Sequence, residues 1–245
     1  MRSIWMGALL TTAAMVHAEQ NPEPINLSVA WNLSLDASGH ISALDPIPNA
    51  RADRVPQIRE ELERAIHEWR FVPGSSNGHP APTRSRLSVD ISVIPDGTDA
   101  FRIRVNRANT GGWVSGVVPP KYPKEAIVAH HQGKVLVRVQ YDANGAVTSA
   151  EMSESSDHID PALVRVAIDS VKHWKYSPEL VDGRGVPGTM VTPFCFTVRT
   201  AGSSRPPTDA CKLSTASKYD SLADGELVAL NPAVTLETDV DGKFL

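Results

Sequence analysis

The segment VKHWKYSPEL at residues 171–180 has a close counterpart about a hundred residues earlier, IHEWRFVPGS at residues 66–75. In both, a Trp ends a run of helical periodicity, an aromatic residue follows two positions later, and a Pro stands two positions after that. Proline lacks a backbone donor and disfavours helical geometry in the residue before it, so each segment marks the end of a helix. The repetition predicts one structural unit that occurs twice.

A β-hairpin pattern precedes each of these helices. Residues 29–44 and 135–151 both alternate apolar and polar side chains around a short turn sequence, DASG at 36–39 and DANG at 142–145. The Gly of each turn accepts the positive φ that a tight hairpin requires. Both copies therefore begin with two antiparallel strands.

A helix, a loop and a long strand follow each hairpin. Gly-containing loops are expected at 75–79 and 182–185, before the alternating strands RLSVDISVI (86–94) and TMVTPFCFTV (189–198). The apolar positions at helical spacing are Ile58, Leu62, Ala65, Ile66 and Trp69 in the first copy, and Leu163, Val164, Ala167, Ile168, Val171 and Trp174 in the second. We predict an α+β protein with two tandem domains, each a three-stranded antiparallel sheet covered by a helix.

These patterns set the domain boundaries. We predict the first unit at residues 25–96 and the second unit at residues 119–200, separated by an extra strand and a linker at 97–118. Because Trp69, Trp174, Tyr176 and Pro178 recur at fixed points of the repeated pattern, we expect them to have structural roles in the two cores. Residues 201–245 are expected to form a tail with one short strand within 233–244.

The amino-terminal residues have the pattern of a secretory signal. Arg2 precedes an uncharged, largely apolar run at residues 4–16, and Val16-His17-Ala18 offers a small-x-small cleavage site. The run is shorter than the roughly 20 apolar residues that span a bilayer. We predict a cleaved signal peptide at residues 1–18 and an exported protein; the alternative is an uncleaved membrane anchor.

The two cysteines fit an exported protein. Cys195 and Cys211 are sixteen residues apart, and in an oxidising compartment this spacing predicts one disulfide that closes a short loop. Two free buried thiols are the alternative.

Several function classes lack their usual sequence patterns. The formal net charge of −4 argues against sequence-independent nucleic-acid binding, which needs a dense basic surface. GRGVPG at 183–188 leads into a strand instead of opening a helix, which argues against dinucleotide binding, and His67-Glu68 lacks the second His of a zinc-protease helix because Phe71 stands there. Local serine-nucleophile motifs are absent. We predict no enzyme activity, no metal and no cofactor.

The segment at residues 119–196 resembles the C-terminal domain of TonB-type energy transducers. The features that carry the resemblance are Tyr122-Pro123-x-x-Ala126, Gly133, the Asp142/Gly145 turn, Ser155-Ser156, Trp174-x-Tyr176-x-Pro178 and the closing strand. They occur in order over nearly eighty residues, with Tyr122 and Pro123 expected as structural elements. Residues 25–94 resemble a diverged copy without the Tyr-Pro-x-x-Ala segment.

The resemblance implies a periplasmic protein that binds peptides in TonB-dependent transport. Members of the family add an extended segment of an outer-membrane receptor, the TonB box, to the edge of a sheet. Backbone hydrogen bonds supply the affinity of such strand addition. The resemblance places this edge at residues 188–198, with Gly188, Thr189, Met190, Val191, Thr192 and Phe194 as the binding positions, and it predicts an unpaired start at 188–191. The expected partner is an outer-membrane receptor or another envelope protein.

Two other functions stay open. A full transducer has an amino-terminal anchor driven by inner-membrane motor proteins and a long Pro-rich segment, whereas here only EQNPEP separates the predicted signal peptide from the first strand. An uncleaved amino terminus would leave a membrane-anchored transducer as the alternative. The remaining alternative is a structural envelope module, in which the second unit serves for homodimerisation without binding peptides.

Overall fold

A computed structural model of the chain describes residues 23–97, 100–198, 211–214, 217, 219, 220, 222 and 226–245. The predicted signal peptide at 1–18 lies outside these residues. Within the described ranges, no helix has both the length and the apolar character needed to cross a membrane.

The first unit is a sheet with a helix packed on one face. Its elements are β1 (Ile25–Leu35), β2 (Ile41–Pro46), a 3₁₀ turn (Ala52–Arg54), α1 (Pro56–His67), β3 (Phe71–Val72), β4 (Ser75–Ser76), β5 (His79–Pro80) and β6 (Thr83–Pro95). Strand β1 lies between β2 and β6 and is antiparallel to both. Alternation along the strands buries one face against α1, including Leu87, Val89, Ile91 and Val93 as predicted.

The second unit has the same arrangement. Between the units lie β7 (Phe101–Gly111) and β8 (Trp113–Gly116); the second unit then contains α2 (Lys124–Val128), β9 (Gly133–Tyr141), β10 (Val147–Ser155), α3 (Pro161–Lys172), β11 (Lys175–Ser177), β12 (Leu180–Val181), β13 (Arg184–Gly185) and β14 (Gly188–Phe196). Strand β9 lies between β10 and β14, antiparallel to both, as β1 lies between β2 and β6. Two antiparallel sheets, each with a helix on one face, make the fold α+β as predicted. The sheets have six and four strands where three were predicted in each, because β7, β12 and β13 extend the first and a tail strand extends the second.

The two hairpin turns pack against the chain that leaves each helix. Gly39 and Gly145 have φ values of +86° and +82°, which L side chains rarely adopt. A Cβ at Gly39 would overlap the carbonyl oxygen of Phe71, and a Cβ at Gly145 would overlap that of Tyr176. The aromatic residue two positions after each Trp therefore presents its backbone to a hairpin turn, at equivalent places in both units.

Both helices end as the proline pattern predicts. Helix α1 ends at His67 and α3 at Lys172, and two residues later the N–H groups of Trp69 and Trp174 donate to carbonyls of the last helical turn. Helix α3 begins at Pro161, where the Asp160 side chain caps it by accepting from the Ala162 N–H at 2.8 Å. The indole N–H of Trp174 donates to the Val118 carbonyl at 2.8 Å, so this buried ring also fixes the linker.

The units are joined through their sheets. The loop predicted at 182–185 is the turn of a small hairpin formed by β12 and β13, and β12 pairs with the start of β6 in the first unit. Strand β11 pairs with β8, which precedes the second unit. Strand β12, from the second unit, therefore extends the sheet of the first unit. Strand pairs cross both of the predicted domain boundaries.

The tail runs along both units. Cys195 and Cys211 form a disulfide with their Cα atoms 5.4 Å apart. Strands β15 (Val228–Ala229) and β16 (Thr235–Leu236) pair with β14 and β3 respectively, where the sequence predicted one short strand. Residues 242–245 then hydrogen-bond along the outer edge of β7.

Candidate functional site

Strand β14 carries all the residues predicted to bind a peptide. On one side it pairs with β9 over its whole length, from Gly188 opposite Tyr141 to Phe196 opposite Gly133. Its outer side is the edge at which strand addition was predicted. The predicted positions Gly188, Thr189, Met190, Val191, Thr192 and Phe194 all lie in this strand.

The tail occupies the first half of the outer edge. Met190 pairs with Ala229 and Val191 pairs with Val228 in an antiparallel arrangement. The sequence-based expectation of an unpaired start at 188–191 must therefore be corrected: in this conformation the chain's own β15 supplies the donors and acceptors that an open edge would offer to another chain.

Thr189 fixes the end of this pairing. The Leu230 N–H donates to the Thr189 carbonyl at 2.8 Å, and the Thr189 N–H donates to Oδ1 of Asn231 at 2.8 Å. The side-chain oxygen of Asn231 thus accepts the hydrogen bond that a backbone carbonyl of a longer β15 would accept. Among the described residues, the hydrogen bonds between tail and edge involve β14 residues 189–191, and the Cys195–Cys211 disulfide ties the tail to the same strand further along.

The second half of the edge is chemically different. Pro193 has no N–H to offer, and Cys195 is tied to Cys211. Phe194 and Phe196 point into the helix-covered core, where Phe194 contacts Trp174 with ring centroids 5.7 Å apart and Phe196 contacts Tyr122 at 5.4 Å. Pro193 therefore interrupts the row of donors in this half, and the disulfide places Cys211 of the tail beside it, so the first half is the more regular hydrogen-bonding edge.

A buried carboxylate anchors the tail just beyond β15. Glu179 is 4% exposed and accepts from the backbone N–H groups of Ala233 at 2.5 Å and Val234 at 3.3 Å. Burial raises the pKa of Glu179, and hydrogen bonds from Ser85 and the two tail amides oppose this shift. Burial likewise raises the pKa of the neighbouring Tyr141 to about 12, with a smaller contribution from the Glu179 charge. Glu179 therefore ties together the first unit, the second unit and the tail.

The other face of the second sheet is also covered by tail residues. Lys134 lies on β9 opposite Cys195 and is only 2% exposed. Its ammonium group donates to the carbonyls of Tyr219 at 3.3 Å, Asp220 at 2.9 Å and Leu222 at 3.2 Å. These charge-assisted hydrogen bonds hold the described part of 219–222 against the sheet.

Strand β10 forms the opposite edge of this sheet. It pairs with β9 alone among the described strands, and its register shifts twice, between Val147 and Ser149 and between Met152 and Glu154. Irregularities of this kind twist an edge and discourage pairing with another chain. The regular part of β14 is therefore the better template for strand addition.

Ser156 and His131, two residue types that often serve in catalysis, have structural contacts here. The Ser156 hydroxyl accepts from the Lys134 N–H at 2.8 Å and donates to the Lys212 carbonyl, and His131 Nδ1 lies 2.5 Å from Oδ2 of Asp160. In the described part of the chain, no group of three or more His, Cys, Asp or Glu side chains is arranged to hold a metal ion.

Comparison with known proteins connects this site to a family. The family described as Gram-negative bacterial TonB protein C-terminal matches residues 118–198, which include every element from α2 to β14. Residues 118–198 belong to the TonB C-terminal family. That the first unit belongs to the same family stays a prediction.

Individual relatives match about a third of the chain. The chain is 40% identical over 78 residues to the Protein TonB of two strains of Xanthomonas campestris pv. campestris, B100 and ATCC 33913, covering 32% of this chain and 34% of each relative. It is 32% identical over 83 residues to the Protein TonB of Vibrio cholerae serotype O1, covering 34% of this chain and 33% of that relative. The chain thus spans about a third of the length of these curated relatives. No solved structure matches it.

The sequence did not predict the contacts between the tail and the TonB C-terminal domain. The run Val228-Ala229-Leu230 is apolar and is followed by Asn231-Pro232, a turn signal, but three apolar residues carry no usable periodicity. Glu179 directly follows Pro178 of the repeated segment and could have been noticed there as a charged residue, but its burial depends on the first unit and the tail.

Proposed function

We propose that the chain is an exported envelope protein that binds an extended segment of an outer-membrane receptor by strand addition to β14, within TonB-dependent transport. The observation that carries this proposal is the TonB C-terminal match over 118–198, whose last strand, among the described residues, hydrogen-bonds to the tail along its outer edge at 189–191. Family members named Protein TonB supply the link to transport.

The chemistry of the edge suits a backbone-directed partner. Hydrogen-bonded pairs alternate along an antiparallel ladder, and since Leu230 donates to Thr189, the next hydrogen-bonded pair is Val191 with Val228. An incoming strand in the place of β15 can make these same bonds. Such binding depends little on side-chain identity, because main-chain groups supply most of the contacts.

The peptide is expected to replace β15 and not to bind beside it. Pro193 interrupts the row of donors in the remaining half of the edge, and the disulfide places Cys211 of the tail beside it. When the peptide replaces β15, one set of main-chain hydrogen bonds is exchanged for another. The net free energy of binding therefore comes from a longer ladder and from side-chain contacts. The tail then acts as a competitor that lowers the apparent affinity of the site.

Titration of the exported chain with a synthetic TonB-box peptide tests the proposal. Backbone NMR shifts are expected at residues 188–192, and at 228–231 as β15 leaves. A peptide of the same length with proline at alternate positions serves as the control, because it cannot donate the ladder hydrogen bonds. Unaltered shifts in β14, or equal binding of the proline peptide, would contradict strand addition at this edge.

The occupied edge also favours a second candidate, the structural envelope module. If β15 is a permanent part of the sheet, the second unit has no peptide site and serves for contact or homodimerisation. In that case β14 shifts stay unchanged in the same titration, while the sedimentation coefficient rises with protein concentration. A membrane-anchored transducer, working with motor proteins, is distinguished by sequencing the amino terminus of the mature chain: a start at Glu19 contradicts the anchor.

A further inference from the structure

A cavity of about 230 Å³ lies on the face of the first sheet that points away from α1. Short side chains on two neighbouring strands, Ser28 of β1 and Ser88 of β6, form part of its lining. Ser88 of β6 pairs with Ala30 of β1 and with Asn109 of β7, and Gly111 of β7 stands opposite Arg86. The short side chain of Ser88 lines the cavity, whereas the space beside Gly111 is filled by Ala229 of the tail.

Other parts of the chain wall this cavity. Trp113 and Val114 of β8 line one side, and Glu226 and Leu227 of the tail line another. Val114 and Leu227 also pack against the second core, so the Trp113 indole is the apolar group that this lining adds to the hydroxyl and amide groups. Small-ligand sites commonly combine an apolar wall with a few placed polar groups in this way.

Arg86 is the unusual group of the cavity. Its side chain is half-buried, yet its guanidinium has no hydrogen bond or ion pair with any described residue. Burial lowers the pKa of Arg86, which means that the surroundings do not compensate its charge. Arg107 on the neighbouring strand differs, because it binds both Asp90, at 2.7 Å, and Glu226.

We propose that this cavity binds a small carboxylate ligand, of the size of one acylated amino acid or sugar acid, with its carboxylate on the Arg86 guanidinium. The planar fork of the guanidinium suits a bidentate carboxylate. Ser88 and Asn109 offer hydrogen bonds to the neutral polar part of the ligand, and the Trp113 ring offers a surface for its carbon atoms. The site needs no peptide at β14, but Glu226 and Leu227 directly precede β15, so displacement of β15 would alter this wall.

Calorimetric titration of the full exported chain with N-acetylalanine tests this site, with N-acetylalanine amide as the neutral isostere and gluconate as the sugar acid. Saturable binding of at least one carboxylate is expected, and no binding of the amide. NMR shifts should include the Trp113 indole N–H. Whichever acid binds more tightly identifies the source of the carboxylate.

Two substitutions locate the binding. R86Q is expected to weaken affinity at least about tenfold, and R86K to weaken it less, since lysine keeps the charge but loses the fork. R84Q is the matched control: Arg84 lies on the same face of β6 but is exposed and outside the cavity. Thermal melts should show that all three variants fold. Equal affinity of R86Q and wild type, equal loss in R84Q, or equal binding of the amide overturns the proposal.

Discussion

The carbonyl oxygens of Phe71 and Tyr176 lie against the α-carbons of Gly39 and Gly145, and this contact is the smallest feature that the two units share. It explains why each helix is followed by a tryptophan, an aromatic residue and a proline. The tryptophan enters the core, the aromatic residue presents its carbonyl to the turn, and the proline directs the chain away. Each turn therefore requires glycine for its φ and for the space.

Gly145→Ala tests this contact in the second unit. The substitution forces a side chain into positive φ, which costs about 1–2 kcal/mol, and places a methyl group on the Tyr176 carbonyl, which adds about 1–3 kcal/mol. Gly183→Ala is the matched control, because Gly183 has φ +74° but open space around it. Urea denaturation should show a clearly larger loss for Gly145→Ala. Equal losses would mean that the packing contact contributes nothing.

Glu179 predicts a pH dependence with a definite sign. Since burial raises its pKa in the folded protein, the folded state keeps the proton at pH values where the unfolded chain has lost it. The free energy of unfolding should therefore fall as pH rises from the ordinary value near 4.5 through the raised one. The pKa values of Asp53 and Asp160 are lowered, so the contribution of these carboxyls to the free energy of unfolding rises with pH.

Comparison with Glu179→Gln isolates this contribution. Glutamine does not titrate, so the stability of the wild type minus that of Glu179→Gln should decrease between pH 4 and pH 7. Urea denaturation at a series of pH values measures the difference. A difference that stays constant or grows with pH would show that the surroundings favour the ionised carboxylate.

At the scale of elements, β15 is the strand that decides whether β14 is accessible. Asn231→Ala removes the acceptor of the Thr189 N–H and weakens the hold of the tail by about 0.5–1.5 kcal/mol. If a peptide replaces β15, its affinity should rise roughly two- to tenfold, measured by the same NMR titration. Thr238→Ala is the matched control, since Thr238 Oγ1 accepts from the Arg70 N–H in the first unit at 2.7 Å.

The three outcomes for the tail are distinct. An affinity that rises in Asn231→Ala and not in Thr238→Ala shows that β15 competes with the peptide. An affinity that falls in Asn231→Ala shows that the tail is part of the binding site. Equal effects of both substitutions mean that general loosening of the tail, and not the edge contact, controls binding.

Local patterns predicted the long elements but not the short ones. The main strands, from β1 and β6 to β9 and β14, and helices α1 and α3 follow from periodicity over nine or more residues, which depends only on the chain nearby. The two-residue strands in the predicted loops at 75–79 and 182–185 show no periodicity. The family resemblance predicted which positions of β14 form the edge. Strand β15, which pairs with this edge, lies nearly forty residues further along the chain, and no local pattern encodes that contact.

The whole molecule combines the two units into one interdependent structure. Strand β12 extends the sheet of the first unit, and the tail pairs with β14, β3 and β7 in turn. Removing one unit would leave exposed edges and unpaired backbone groups on the other. Such shared contacts favour a single unfolding transition for both units.

Two equivalent core truncations test this cooperativity. Ile58 and Leu163 both lie eleven residues before the tryptophan that follows their helix, and both are buried, at 3% and 0% exposure. Replacing either by alanine should lower the free energy of unfolding by about 2–5 kcal/mol. If the units unfold together, hydrogen exchange monitored by mass spectrometry should show faster exchange in both β1 and β9 for each variant, because the slowest amides exchange through global opening. The contrary result is faster exchange confined to the unit that carries the substitution. It would show that the β12 pairing and the tail contacts open while the core of the other unit stays folded. The second unit could then release its edge strand independently of the first unit.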